Sequence, residues 1–460
     1  MNKKVAALLY TSSFIVLMAI IWFVFKSGKG LENIGMQGIT ETNSSQTPIS
    51  VYQHPLAIFI LQLILIIAAS QTCAWLFKKI GQPAVMGEII AGILLGPSLI
   101  GTLLPGFSAF VFPAASLGNI QMLSQVGLIL FMFVIGMELD MTLLKKRAGS
   151  AMFISYFSII IPFGMGIGLS YFLYRQYAPT NIPFFAFSLF IGIGMSITAF
   201  PVLARIIRER GISNTPTGVM AITAAAVGDI TAWCMLAFII TVVKAGTLSS
   251  SLYTIIAAVV YIAVMFFIVK PVLNKIALKS SKNSSMQRPV LAIIFVVLLL
   301  SAYCCEVIGV HALFGAFLAG LIMPDEWNFR KALIDKIEDV ALVLLLPLFF
   351  VFTGLRTQVG LLNTVSLWLT CCVIILVAIV GKFGGSALAA RITGEDAKDS
   401  LSIGALMNTR GLVELVVLNI GYDLHILSPQ IFTMMVIMAL ATTFMTNPVI
   451  NLINRFYKKE

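Results

Sequence analysis

The chain has 460 residues, of which 59% are apolar and only 11% are charged. Soluble globular proteins carry about 45–50% apolar and about 25% charged residues, so this composition excludes a chain of soluble domains. The formal net charge is +11, and the basic residues lie in short segments between apolar runs. That distribution is typical of membrane proteins, and it excludes nucleic acid as the partner of the positive charge.

The first apolar run, at about Ala6–Phe25, predicts an amino-terminal span that is either a retained anchor or a signal peptide. A polar stretch from Lys26 to His54 follows it and is expected to be an external linker. We therefore assign residues 1–54 to this span and its linker, 55–453 to a transmembrane domain, and 454–460 to a short cytoplasmic tail.

Thirteen further apolar runs predict an all-α, polytopic membrane protein, because a helix that crosses a bilayer needs about 20 mostly apolar residues. The predicted spans lie at about 55–77, 84–103, 119–139, 149–174, 183–205, 216–243, 252–274, 289–308, 310–323, 338–355, 361–390, 400–421 and 428–452. The basic clusters fall in alternate loops and place both termini in the cytoplasm if the first span is retained. We expect an integral protein of a bacterial cytoplasmic (inner) membrane.

Segments that are seven spans apart resemble each other. The second span reads GEIIAGILLGP (87–97) and the ninth reads FGAFLAGLIMP (314–324). The third reads LFMFVIGMELDMTLL (130–144) and the tenth reads LFFVFTGLRTQVGLL (348–362). Because an odd offset reverses the direction through the membrane, we predict two inverted repeats of six helices and one linking helix, a core of 13 helices.

The same offset pairs the fifth span with the twelfth, and both contain features that interrupt a helix. In the fifth, GIGMSITAFPVLAR (192–205), Pro201 removes a backbone donor. In the twelfth, GALMNTRGLVEL (404–415), the middle is polar. We expect two broken helices that cross at the midplane, where transporters with inverted repeats bind their ions. The polar side chains expected at these breaks are Ser196, Thr198, Asn408 and Thr409.

Four ionisable residues lie well inside predicted spans: Asp229, Lys382, Arg410 and Glu414. A charge at that depth costs roughly 3 kcal/mol or more, so each is expected to have a partner or a task. Asp229 is predicted to bind a metal cation and a proton in competition. The positive charge of Lys382 is expected to neutralise the partial charges at the ends of the half-helices and the charge of a nearby carboxylate. Arg410 and Glu414 are four residues apart and predict an ion pair that supports the broken helix, with direct participation in transport as the alternative.

Four segments in chain order carry a resemblance to a known family: TAFPVLARIIRERG, AAAVGDITAW, LPLFFVFTGLRT and MNTRGLVELVVLNIG. Together they make the sequence resemble the monovalent cation:proton antiporter-2 family over roughly residues 55–453. The resemblance implies a homodimer in which a mobile core moves against a scaffold, an elevator-type exchange of Na⁺ or K⁺ for H⁺. It implies that Asp229 is the ion-binding acid and Lys382 the intramembrane lysine, with Thr198 and Pro201 in the first crossing. No cofactor is implied beyond the transported Na⁺ or K⁺ and H⁺.

Many electrogenic members of that family carry two adjacent acids, whereas the first of these positions is Gly228 in this sequence. A single carboxylate predicts electroneutral exchange of one cation for one proton. A Na⁺-coupled organic-anion symporter, which can share the inverted repeat, and a cation channel are the alternatives. The sequence contains no zinc-protease, nucleophile-elbow or phosphate-loop motif, so an enzyme is not expected.

Overall fold

The computed structural model describes residues 55–138, 148–180, 182–213, 215–245, 248–280, 288–324 and 327–457. Within these ranges all of the regular secondary structure is helical. The described residues from Leu61 onward form one compact unit. The predicted amino-terminal span and linker at 1–54 lie outside the described residues.

The helices are numbered here in chain order within the described part of the chain. They are α1 Pro55–Lys79, α2 Ala84–Leu95, α3 Ile100–Leu103, α4 Pro105–Val111, α5 Ala114–Glu138, α6 Ala148–Tyr177, α7 Phe184–Ser196, α8 Phe200–Glu209, α9 Pro216–Ala245, α10 Leu248–Val264, α11 Lys270–Ser280, α12 Arg288–Ile308, α13 Ala312–Leu321, α14 Trp327–Val340, α15 Leu346–Arg356, α16 Val365–Ile379, α17 Gly385–Ile392, α18 Ala397–Met407, α19 Leu412–Asp423 and α20 Pro429–Phe456. Single π-helical turns continue α10 into α11 (Met265–Val269), α14 into α15 (Ala341–Leu345) and α16 into α17 (Val380–Gly384).

Eleven helical segments of the described chain are long and apolar enough to cross a membrane. Helices α18 and α19, which are bent by 41° at their junction, make a twelfth when they are taken as one span. Helix α13 adds an apolar helix of only 10 residues, half of the roughly 20 residues that a straight crossing needs. The all-α polytopic architecture is confirmed, and the count of 13 core helices stays a prediction.

The tenth predicted span, at 338–355, begins earlier in the structure, because helix α14 starts at Trp327. The added turns are rich in charged residues that are good helix formers, so an apolar search misses them although they continue the same helix. Arg330 of this segment donates hydrogen bonds to the carbonyl oxygens of Met137 at 3.0 Å and Met323 at 2.9 Å. These carbonyls lie at the carboxyl ends of α5 and α13, where a cation is favourable.

Close contacts between glycine-bearing helices relate the two predicted repeats. Helix α2 packs on α15, where a Cβ atom on Gly92 would lie 2.6 Å from the Cα of Val351. Helix α5 packs on α13, where a Cβ atom on Gly136 would lie 3.0 Å from the Cα of Gly320. The sequence similarity pairs α2 with α13 and α5 with α15. Exchanging the two repeats therefore turns the contact between α2 and α15 into the contact between α13 and α5. This is the packing expected of two repeats related by a pseudo-twofold axis.

Candidate functional site

The first break lies between α7 and α8, where residues 197–199 are extended. Pro201 lies in the first turn of α8, where its missing N–H group costs little because the first amides of a helix have no intrahelical acceptor. The break therefore precedes the proline that predicted it, and Pro201 starts the second half-helix. Ser196, Thr198 and the residues between them are buried.

The second break lies between α18 and α19, over residues 408–411. The two breaks contact each other directly: the backbone N–H of Ala199 donates to the carbonyl of Thr409 at 3.0 Å. The hydroxyl of Thr198 donates to the carbonyl of Met407 at 3.0 Å. These bonds satisfy polar groups that the interrupted helices leave without partners. The prediction of two broken helices that meet at their breaks is confirmed.

Lys382, which is fully buried, reaches the carboxyl end of α7 from the π-helical turn between α16 and α17. Its Nζ atom donates hydrogen bonds to the carbonyl oxygen of Ser196 and, at 2.8 Å, to that of Ser158 on α6. The carbonyls at a helix terminus have no intrahelical donors and carry the negative end of the helix dipole. The ammonium therefore lies at the half-helix end, which is the position that its predicted role requires.

Arg410, also fully buried, binds the same helix end from the second break. Its Nη1 atom donates to the carbonyl of Gly194 at 2.8 Å and its Nη2 atom to that of Met195 at 2.7 Å. The guanidinium also lies 3.2 Å from the carboxylate of Glu414, in the first turn of α19. The expected partner is correct, but the two residues do not share a helix face, because Arg410 lies in the non-helical break.

Asp229 lies in the middle of α9 and is fully buried. No described side chain donates a hydrogen bond to either of its carboxylate oxygens. The groups that face this carboxylate are the backbone N–H of Phe200, at the start of α8, and the ammonium of Lys382. Helix amino termini carry the positive end of the dipole and attract anions. Asp229 thus faces the positive, amino-terminal end of α8, whereas Lys382 and Arg410 bind the negative, carboxyl-terminal end of α7.

The other polar side chains predicted at the breaks have different surroundings. The hydroxyl of Ser196 donates to the carbonyl of Gly192 at 2.6 Å, so it is engaged within α7. The hydroxyl of Thr409 lies 3.4 Å from that of Thr446 on α20. Asn408 is buried, and its Oδ1 atom has no partner among the described groups. Of these three side chains, Asn408 keeps an acceptor oxygen available for a ligand.

Two residues of the site were not singled out from the sequence. Ser158 offers its carbonyl to Lys382, and a carbonyl carries no signature in a sequence. Thr443 accepts a hydrogen bond from the backbone N–H of Arg410 at 2.9 Å and donates one to its carbonyl at 2.8 Å. The run of threonines at 442, 443 and 446 in an apolar helix is the one signal that could have indicated this bracing.

Two broken helices that contact each other at their breaks, a buried carboxylate and apolar helices of membrane-crossing length are the features expected of a polytopic membrane transporter. The sequence profile of the sodium/hydrogen exchanger transmembrane family matches residues 64–452. The chain belongs to this family, and it is an integral membrane protein.

Relatives in three kingdoms support this membership. The chain is 40% identical over 398 residues to the Na⁺/H⁺ antiporter NhaS4 of Synechocystis, a match that covers 86% of this chain and 97% of that protein. It is 39% identical over 401 residues to cation/H⁺ antiporter 17 of Arabidopsis thaliana, covering 86% of this chain and 48% of the relative. It is 33% identical over 407 residues to K⁺/H⁺ antiporter 1 of Saccharomyces cerevisiae, covering 87% and 46%. The chain therefore spans about half the length of the plant and yeast relatives.

The fold also has a solved counterpart. The sodium proton antiporter MjNhaP1 from Methanocaldococcus jannaschii superposes with a TM-score of 0.64 over 86% of this chain and 96% of that chain. The sequences are 15% identical in this comparison, so the likeness is one of fold.

Proposed function

We propose that the protein is a secondary active antiporter that exchanges a monovalent cation, Na⁺ or K⁺, for H⁺, and that both bind at Asp229. The family and the Na⁺/H⁺ and K⁺/H⁺ antiporters among the relatives support cation/proton exchange. The observation that carries the site is the fully buried carboxylate of Asp229, which faces the start of α8 next to the first break and accepts no hydrogen bond from a described side chain.

Competition for one carboxylate couples the two fluxes. A protonated carboxyl group has lost the charge that holds a metal cation, and a bound cation disfavours protonation of the same group. Carboxylate, carbonyl and amide or hydroxyl oxygens are the ligands that hard cations prefer. Asn408, through Oδ1, and Thr198, whose hydroxyl oxygen retains lone pairs, are the side chains at the breaks that we assign as further ligands.

The balance of buried charge favours electroneutral exchange. The site contains two acids and two bases, which sum to zero formal charge when all four are ionised: Asp229, Glu414, Lys382 and Arg410. Binding either a monovalent cation or a proton at Asp229 adds one positive charge, so the two loaded forms of the carrier have equal charge. Gly228 supplies no second acid that could take up an additional proton.

The same proposal includes the movement of the carrier, its oligomeric state and its location in the cell. We propose an elevator-type movement of the crossed helices within a homodimer, as the resemblance to the antiporter-2 family implies. We place the protein in a bacterial cytoplasmic membrane, with support from the full-length match to a cyanobacterial relative. Both termini are assigned to the cytoplasm because the basic clusters lie on one side.

The exchange is tested with a pH-sensitive dye in everted vesicles and then in proteoliposomes. Addition of Na⁺ or K⁺ is expected to dissipate an imposed proton gradient, and comparison of the two cations gives the ion preference. Clamping the membrane voltage at different values is expected to leave the rate unchanged. A reversal potential would contradict the 1:1 stoichiometry. Cation flux that follows voltage alone would indicate a channel, and Na⁺-driven uptake of a labelled organic anion would indicate a symporter.

A further inference from the structure

Three buried serine side chains lie unpaired beside the site. Ser155 and Ser158 are on α6 and Ser386 is on α17, with exposed fractions of 1%, 0% and 0%. None of the three hydroxyls has a hydrogen-bond partner among the described groups. A helical serine usually donates to a carbonyl of the preceding turn. Ser170, which is buried on the same helix α6, does so, with 2.6 Å between its hydroxyl and the carbonyl of Ile167.

The three serines lie on α6 and α17, which pack against each other, and α6 also packs against α9. A Cβ atom on Gly228 would lie 3.3 Å from the hydroxyl oxygen of Ser155, so this hydroxyl borders the residue that precedes Asp229. Ser158 binds Lys382 through its carbonyl at 2.8 Å and leaves its hydroxyl unused. Ser386 follows Lys382 by four residues, one helical turn further along the same face. One hydroxyl therefore borders the neighbour of the acid, and the other two belong to a residue that binds Lys382 through its carbonyl and to a residue one turn from Lys382.

We propose that Ser155, Ser158 and Ser386 form a hydroxyl-lined subsite that binds the monovalent cation next to Asp229. Buried polar groups normally have partners, and three hydroxyl oxygens left without one among the described groups suit a ligand that accepts lone pairs. Neutral oxygens replace the water shell of an alkali cation without adding charge. This inference rests on the proposed function, because its ligand is the cation that Asp229 exchanges.

The lack of a side chain at Gly228 contributes to the subsite. With no Cβ at that position, the hydroxyl of Ser155 lies next to the bare backbone of the residue that precedes the acid. A methyl group there would press on this hydroxyl at 3.3 Å, a distance at which one of the two must shift. A serine hydroxyl does not ionise near neutral pH, so these residues act on cation binding and leave proton binding to Asp229.

The test compares Ser155→Ala, Ser158→Ala and Ser386→Ala with the matched control Ser170→Ala. In proteoliposomes, Ser155→Ala is expected to raise the KM for Na⁺ or K⁺ about tenfold, the effect of losing one ligand to a charge, with the maximal rate within about twofold. Ser158→Ala and Ser386→Ala raise KM in the same direction, and so does Gly228→Ala. Ser170→Ala retains the wild-type KM, because its hydroxyl is engaged within α6.

A second readout does not depend on transport. Adding Na⁺ or K⁺ to the detergent-solubilised wild type is expected to raise its melting temperature, since a ligand stabilises the state that binds it. The three alanine variants need higher cation concentrations for the same rise. If all three match Ser170→Ala in KM and in cation-induced stabilisation, the subsite is refuted while the antiporter assignment stands. If the wild type exchanges no cation for protons, the proposed function fails first.

Discussion

Replacing Asp229 with Asn is expected to reduce cation-driven proton movement to the level of protein-free liposomes. The amide has nearly the same shape as the carboxyl group, but it cannot release a proton and has no charge to hold a cation. No described side chain donates to the Asp229 oxygens, and the amide oxygen of Asn can still accept from the backbone N–H of Phe200, so the substitution breaks no such contact. The variant should therefore fold and enter the membrane as the wild type does. Dye dequenching in proteoliposomes and size-exclusion chromatography of the same preparation measure the two properties.

Asp423→Asn is the matched control for this experiment. Asp423 lies at the end of α19, is partly exposed and pairs with Arg356 at 2.8 Å, away from the breaks. Its amide variant is expected to keep most of the exchange. An Asp229→Asn variant with wild-type exchange would refute the assignment of Asp229 as the shared binding site.

Replacing Arg410 with Ala is expected to destabilise the folded protein by about 3–5 kcal/mol, the usual effect of removing one partner of a buried ion pair. The variant leaves the fully buried carboxyl group of Glu414 without its partner. It also leaves the carbonyls of Gly194 and Met195 without their donors at the end of α7. Thermal unfolding in detergent, followed by the loss of monodisperse protein, measures the effect.

Two further variants distinguish the effect of losing the ion pair from the effect of losing the hydrogen bonds to the end of α7. Removing both charges, in Arg410→Ala with Glu414→Ala, is expected to recover part of the lost stability, because no unpaired charge remains. Asp423→Asn weakens the partly exposed pair with Arg356 and should cost no more than about 1 kcal/mol. If Arg410→Ala unfolds at the wild-type temperature, the guanidinium does not hold the broken helix together.

The positions of the breaks could be predicted from the sequence because local chemistry determines them. Pro201 cannot continue a helix from the preceding turn, and a polar run in the middle of an apolar span predicts an interruption. Spacing also identified Glu414 as the partner of Arg410. The predicted reason, a shared helix face, was wrong, because Arg410 lies in the break and its guanidinium reaches the end of α7.

Contacts between distant segments could not be predicted in this way. Lys382 binds a carbonyl of Ser158, which is 224 residues away, and no pattern in the sequence marks a carbonyl as an acceptor. Similarly, a serine in an apolar span gives the same signal whether it bonds within its helix, as Ser170 does, or is left unpaired, as Ser155 is. Only tertiary packing distinguishes these cases, because it decides which hydroxyls find a partner and which one borders Gly228.

The most direct measurement of competition at Asp229 is the KM for Na⁺ or K⁺ as a function of pH in proteoliposomes, with the voltage clamped. One shared carboxylate predicts that, once most sites are protonated, KM rises about tenfold for each unit of falling pH at a constant maximal rate. A KM that stays the same across the pH range in which exchange persists would mean that the two ions bind at separate groups.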